Sequence, residues 1–450
     1  MSKSVALLLV LVFLTASCIM AVKLALSSVD VAKNSWATKA PMQKARANFG
    51  IAVVNGKIYA FGGDYGDLTA NAAPAYTITF HTANTNEEYD PTSDTWTFRK
   101  PMPTSRALLG VAVYQNKVYC IGGYYGEYFD TGANEVYDPA TDTWETRAPM
   151  PLFETSATAN VVNGKIYVMS ENLNQAYDPE TDSWTTKTPP PNKILSSVSA
   201  VVDNKIYLLG SQTGPYWVPT DNFVQIYDPS DDSWSVGAES HISIFETAVG
   251  ATTGVFAPKR IYFFDETETK VYDPESDTWT VGASMLSPRV LARVAVINDT
   301  CYVVGGRSGM HGWLTIMEPS AVNEQYTPFG YGTIPPEVAI VSPETKMYNV
   351  TDVSLVFTVD KPVVWMGYSL DGQDNVTVTG NTTIAGLSNG LHNVTVYVKD
   401  DFDNVGTSET IYFTVEVPEP FPTTSVAVAS IATVAVVGVI ILVYFKKRKH

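Results

Sequence analysis

An all-β chain built from repeated small sheets is predicted by three observations. One phrase recurs five times: YDPTSDTW (Tyr89–Trp96), YDPATDTW (Tyr137–Trp144), YDPETDSW (Tyr177–Trp184), YDPSDDSW (Tyr227–Trp234) and YDPESDTW (Tyr272–Trp279). Its tryptophans fall 40 to 50 residues apart, and a period of that size marks a repeated supersecondary unit. An apolar run with a Tyr at its centre precedes each phrase: Lys57-Ile58-Tyr59, Lys117-Val118-Tyr119, Lys165-Ile166-Tyr167, Lys205-Ile206-Tyr207 and Arg260-Ile261-Tyr262, with Thr300-Cys301-Tyr302 as a sixth. Turn chemistry separates the runs. Asn55-Gly56 and Asn163-Gly164 are two-residue hairpin signals. In Asp90-Pro91-Thr92-Ser93-Asp94 the proline presets φ and the aspartates can accept nearby backbone N–H groups.

One unit thus reads as strand, short turn, strand, glycine-rich loop, Tyr-ended strand, Asp-Pro turn and Trp-bearing strand. Four short antiparallel strands per unit make a propeller blade. Three of the six Tyr runs continue into a double glycine, at Gly62-Gly63, Gly122-Gly123 and Gly305-Gly306. Tyr, Gly-Gly, Tyr and Trp in this order resemble the kelch repeat, a β-propeller family, over residues 35–326. Three copies depart from it, with Met169-Ser170-Glu171, Gly210-Ser211 and Phe264-Asp265 where the glycines belong. The sixth copy ends at Glu324-Gln325-Tyr326-Thr327-Pro328 without its Trp, while an orphan Ser35-Trp36 stands near the N-terminus. Pro41-Met42 follows Trp36 as Pro101-Met102 follows Trp96. The N-terminal strand is therefore expected to complete the last sheet, so that no blade keeps an open edge. The prediction is a six-bladed propeller over residues 29–334, with seven blades as the alternative.

Both ends carry targeting patterns. Lys3 and the apolar run Val5–Leu14 fit a signal peptide over residues 1–21. Cys18 has a poor lipobox before it. Residues 425–445 are apolar and uncharged and end in Lys446-Lys447-Arg448-Lys449, which predicts a transmembrane helix with a basic cytoplasmic tail at 446–450. Residues 417–424 form a Pro-rich spacer before it. The expected localisation is a single-pass cell-membrane protein with its body outside. The tail resembles the C-terminal sorting signals of archaeal and bacterial surface proteins.

Residues 335–416 differ in texture. Val338–Ser342, Val353–Val359, His392–Lys399 and Thr410–Val415 read as strands, and Val394, Val396 and Val398 share one face. Asp371-Gly372 and Asn389-Gly390 mark turns. The segment reads as an Ig-like or fibronectin-type β-sandwich, expected to act as a stalk. Asn349, Asn375, Asn381 and Asn393 each open an Asn-x-Thr sequon there, and Asn298 opens another in blade six. Glycosylation is the expectation. Thr-rich strands generating the motif by composition is the alternative.

The formal net charge of −17 excludes a nucleic-acid partner, which needs a basic face. Only Cys18, Cys120 and Cys301 occur, so disulfides are not expected to hold the fold, and a prokaryotic origin fits. No cofactor or metal is expected. The Asp-rich turns lack the glycine and closing glutamate of an EF-hand loop.

Function is sought where the copies differ. Thirteen residues before each repeat Tyr stand Arg46, Arg106, Glu154, Ile194 and Arg289, with Glu246 as the match in blade five. These positions open the innermost strands. Kelch resemblance implies that this ring and the loops after Gly-Gly form the binding face, and Arg forks suit carboxylates and sugar hydroxyls. The loops add Tyr65, Tyr125, Trp217 and Trp313. Aromatics beside polar groups suit a glycan or a protein ligand. The alternative for the arginines is bonding within the scaffold, and for the aromatics capping of a blade. The repeat Tyr and Trp are assigned to packing. Among kelch enzymes, a copper radical oxidase needs a Tyr–Cys cross-link and two His ligands, and the five histidines form no cluster. A carbohydrate mutarotase or isomerase, with Glu154 or Glu246 as base, is the runner-up. A purely structural surface protein is the third reading. The sequence thus predicts a membrane-anchored binding or adhesion protein, not an enzyme.

Overall fold

The computed structural model describes residues 34–70, 76–126, 129–153, 156–192, 195–213, 219–220, 222–240, 247–266, 268–308, 318–418, 437 and 439–441. The chain divides into two compact units, Met1–Ile334 and Pro335–His450.

In the first unit, six antiparallel sheets each follow a four-strand path. Their innermost strands are Gly50–Val54, Gly110–Tyr114, Thr158–Val162, Leu195–Val202, Ala248–Ala251 and Arg293–Ile297, and the sheets are blades one to six in that order. Each innermost strand adjoins the next, and the sixth adjoins the first, so the blades close a propeller-like ring. Hairpin chemistry sets the local geometry. Asn55 and Gly56 take φ of 51° and 72°, and Asn163 and Gly164 take 49° and 75°, as a type I′ turn requires.

Blade six takes its outermost strand from the N-terminal end of the described chain. Ser35–Lys39 pairs antiparallel with Asn323–Thr327, placing Trp36 opposite Tyr326 as Trp96 stands opposite Tyr89. The ring centroids are 4.9 Å apart in the first pair and 5.0 Å in the second.

A latch repeats at every blade boundary. The last Asp of each repeated phrase (Asp94, Asp142, Asp182, Asp232, Asp277) takes a left-handed φ between 50° and 57°, which Asp and Asn tolerate best after glycine. It accepts the repeat Tyr hydroxyl at 2.6–2.7 Å. It also accepts a backbone N–H of the preceding blade, from Ala40, Lys100, Ala148, Thr188 or Ala238, at 2.6–3.0 Å. At the ring closure Asn34 takes this part, with φ 60°, accepting from Tyr326 Oη at 2.7 Å and from Ala283 N at 2.6 Å. Trp Nε1 groups donate across the same boundaries, as from Trp36 to the Ala283 carbonyl at 2.8 Å and from Trp96 to that of Ala40 at 2.8 Å. Apolar clusters fill each boundary. Tyr59 and Phe61 of blade one, for example, pack on Tyr137 and Trp144 of blade two. Cys120 and Cys301 are buried free thiols, and burial pushes Cys120 up to about 12.

The second unit holds two sheets on one apolar core. Val338–Ser342, Val353–Val359 and Thr382–Ile384 form the smaller sheet. The larger joins Ile411–Val415, Gly390–Lys399, Trp365–Leu370 and Val376–Val378, with Met347–Tyr348 added in parallel beside Ile411–Val415. Leu355, Val394, Val396, Val398 and Phe413 form the centre of the core.

The expected membrane placement is corrected. A spanning helix needs about 20 apolar residues, and no helix among the described residues is long and apolar enough to cross a membrane. Only Val437 and residues 439–441 of the expected helix are described, as helical positions. Residues 1–21, most of the Pro-rich spacer and the basic tail lie outside the described residues.

Candidate functional site

The three arginines of the expected ring are scaffold groups. Arg46, Arg106 and Arg289 are 1%, 0% and 1% exposed, so none offers its fork to solvent. Each turns into its own blade and holds the double-glycine loop. Arg46 donates to the Gly62, Thr85 and Ala60 carbonyls and pairs with Glu87 at 3.0 Å. Arg106 donates to the Gly122, Ala133 and Cys120 carbonyls and pairs with Glu135 at 2.7 Å. Arg289 donates to the Gly305, Ser287 and Val303 carbonyls and pairs with Glu324 at 2.7 Å. Burial draws Arg46 down to about 10 against the opposing pull of the Glu87 charge, and lowers Arg289 likewise.

Arg, Gly-Gly and the glutamate two residues before the repeat Tyr occur together, in blades one, two and six. Blades three and four have neither Gly-Gly nor that glutamate. There Gln175 exchanges hydrogen bonds with the backbone of Leu152, and Gln225 with that of Asn192. The glycines are required by geometry. Gly63 has φ 96°, and a Cβ on it would lie 2.5 Å from the Ala47 carbonyl oxygen.

The channel mouth is lined two residues further along the chain. Asn48, Leu108, Ser156 and Leu291, all at φ between 53° and 65°, border the central cavity. The hairpins after Gly-Gly rise on this same face, because bridges join Ala47 to Asp64, Ala107 to Tyr124 and Val290 to Arg307. Their first residues bind one another. Asp64 is buried and accepts from Arg307 Nη2 at 2.5 Å, Asn48 Nδ2 at 2.8 Å and Tyr124 Oη at 3.0 Å. This chain of contacts fixes the hairpins of blades six, one and two to each other.

On that base stand exposed aromatics. Tyr65 lies 5.4 Å from the His81 ring across the hairpin Asp64–Ala70/Tyr76–Thr82. Tyr125 lies 5.9 Å from Phe129, and both are exposed. Leu152 and Phe153 are exposed beside them, Phe153 lying against the Gly132 backbone. Glu154, Glu246, Trp217 and Trp313 lie outside the described residues. Among the sequons, Asn298, Asn349, Asn375 and Asn381 are exposed, though Asn381 Oδ1 accepts from Phe357 N at 3.0 Å, and half-buried Asn393 stands mid-strand opposite Tyr412. Among the described residues no group of three or more His, Cys, Asp or Glu is placed to hold a metal.

The ring, the repeated phrase and the glycine-anchored arginines fit kelch repeats in this chain. A Kelch motif matches residues 45–72 and 105–151. Human Kelch-like protein 28 is 38% identical over 94 residues, which cover 21% of this chain and 16% of that protein. Halomucin of Haloquadratum walsbyi is 39% identical over 101 residues, covering 21% of this chain and 1% of halomucin. The chain thus matches only a small part of these relatives' lengths. A solved structure of YjhT aligns with a TM-score of 0.48 at 13% identity, covering 63% of this chain and 96% of that one.

Proposed function

We propose that this kelch-repeat chain is an interaction scaffold that docks a protein segment on the hairpin face of blades one to three. The supporting observation is the crest of exposed Tyr65, Tyr125 and Phe129 on the hairpins of two blades held by buried Arg–Glu pairs, with Leu152 and Phe153 exposed on the loop that leads into blade three. Rigid aromatic side chains that lose little entropy on contact are what interface hot spots use. Net charge of −17 and exposed Asp130 in the crest favour a partner segment that combines apolar with basic side chains. If the chain is glycosylated, exposed Asn349 and Asn375 are the best-placed acceptors in the second unit.

The test is photo-crosslinking from position 125, in wild type and in a Tyr65→Ser, Phe129→Ser variant whose melting temperature is unchanged. A captured protein with a basic, apolar contact peptide, lost in the variant, supports the reading. Capture that persists in the variant, or binding only to a glycan array, overturns it.

A further inference from the structure

The arginines described in the first unit follow one rule with one exception. Arg46, Arg99, Arg106, Arg147, Arg260, Arg289 and Arg307 each meet a carboxylate at 2.5–3.0 Å. Arg293 meets none among the described residues. It is half-buried and donates from Nε to the Phe49 carbonyl at 2.9 Å and from Nη1 to that of Ala292 at 3.3 Å. A guanidinium carries five N–H donors, so capacity remains. Asp64, the acid whose charge acts on Arg293, is already committed to Arg307, Asn48 and Tyr124. Burial lowers Arg293 to about 10, so it stays cationic at neutral pH. A partly desolvated charge with no counter-charge beside it marks a place where one can be supplied.

Its position is specific. Arg293 stands opposite Val304, two residues past the repeat Tyr302. The matching inner-strand residues, opposite Phe61, Ile121, Met169, Leu209 and Phe264, are Gly50, Gly110, Thr158, Val198 and Ala248. All six line the central cavity of about 340 Å³. Five small or neutral side chains thus ring one cation. On the lining of the same cavity, Asn48 Oδ1 of blade one and Thr247 Oγ1 of blade five, the blades next to Arg293, and Thr158 Oγ1 of blade three, across the ring from it, are buried with no hydrogen-bond partner among the described residues.

We propose that the central channel is a binding site for a small hydroxylated carboxylate, its carboxylate paired with Arg293 and its hydroxyls with Thr158, Thr247 and Asn48. The cavity lies at the small end of the range for such sites, about 300–1,000 Å³. This site is separate from the aromatic crest and stands whether or not a protein docks there.

The probe is D-gluconate, titrated calorimetrically into the intact protein at low ionic strength, with sorbitol as its uncharged counterpart and chloride as an inorganic competitor. Gluconate binds the wild type, sorbitol does not, and Arg293→Met weakens gluconate at least about tenfold, the loss of one charge-assisted pair. Arg293→Met itself melts within about 2 °C of the wild type, because removing an unpaired cation costs the fold little. No gluconate binding, equal binding to Arg293→Met, or a melting temperature depressed as for a scaffold arginine overturns the proposal. So does chloride displacing gluconate at equal concentration, which leaves an inorganic-anion site only.

Discussion

Arg106→Ala separates a scaffold arginine from a ligand-binding one. The substitution removes four hydrogen bonds, to the Gly122, Ala133 and Cys120 carbonyls and to Glu135. It leaves Glu135, 4% exposed, with only the Thr104 hydroxyl at 2.7 Å as a side-chain donor. Breaking one side of a buried ion pair costs about 3–5 kcal/mol. A cooperative ring of about 300 residues has an unfolding entropy of about 0.6 kcal/mol/K, so the melting temperature falls by about 5–8 °C. Removing both partners in Arg106→Met with Glu135→Leu restores much of the loss, giving a coupling of about 2–3 kcal/mol in the double-mutant cycle. Calorimetric melting of the four proteins checks this. A cost below about 1 kcal/mol for Arg106→Ala, the level of an exposed pair, refutes the reasoning.

The closing latch gives a second outcome. Asn34→Ala loses both bonds at the ring closure and costs about 1–2 kcal/mol by denaturant melting, whereas Asn34→Asp, the residue the other five latches carry, is tolerated. Gly63→Ala places a Cβ 2.5 Å from a carbonyl oxygen at φ 96° and costs about 1–3 kcal/mol in the same assay. His392 is a pH-linked contact. Both ring nitrogens face acceptors, the Ser388 carbonyl and the Asp371 carboxylate, each at 2.8 Å, and these raise its pKa, the Ser388 bond most. Its stabilisation of the second unit is full below about pH 6.5, the unfolded value, and is lost as pH rises through the higher folded value. A ring-proton NMR titration is predicted to give a midpoint above 6.5, and His392→Gln flattens the pH dependence of that unit's amide exchange.

Much of this was legible in the chain. The Tyr and Trp period fixes strand order because one register serves every blade, and the orphan Trp36 could be read as the partner of Tyr326 by that register alone. The direction of Arg46, Arg106 and Arg289 was not legible from spacing, because a strand-opening position serves the channel or the blade interior equally. A signal was present all the same: arginine, Gly-Gly and Glu87, Glu135 or Glu324 occur in the same three copies, and a buried cation needs a matched acid. Asn34 is not legible, because the repeated phrase has Asp there and its Tyr lies nearly 300 residues away. Arg293 does leave a signal, as the one long side chain at a position held elsewhere by Gly50, Gly110, Thr158, Val198 and Ala248. The parallel addition of Met347–Tyr348 leaves no pattern in so short a strand.

Closure of the ring by its N-terminal strand is what holds the hairpin face and the channel in place, and amide hydrogen exchange reads it directly. The amides of residues 36–39 are predicted to exchange as slowly as those of the matching outer strand Thr95–Arg99, and to speed up in Asn34→Ala. Exchange of residues 36–39 at unprotected rates, with Thr95–Arg99 still slow, contradicts the closed ring and the sites built on it.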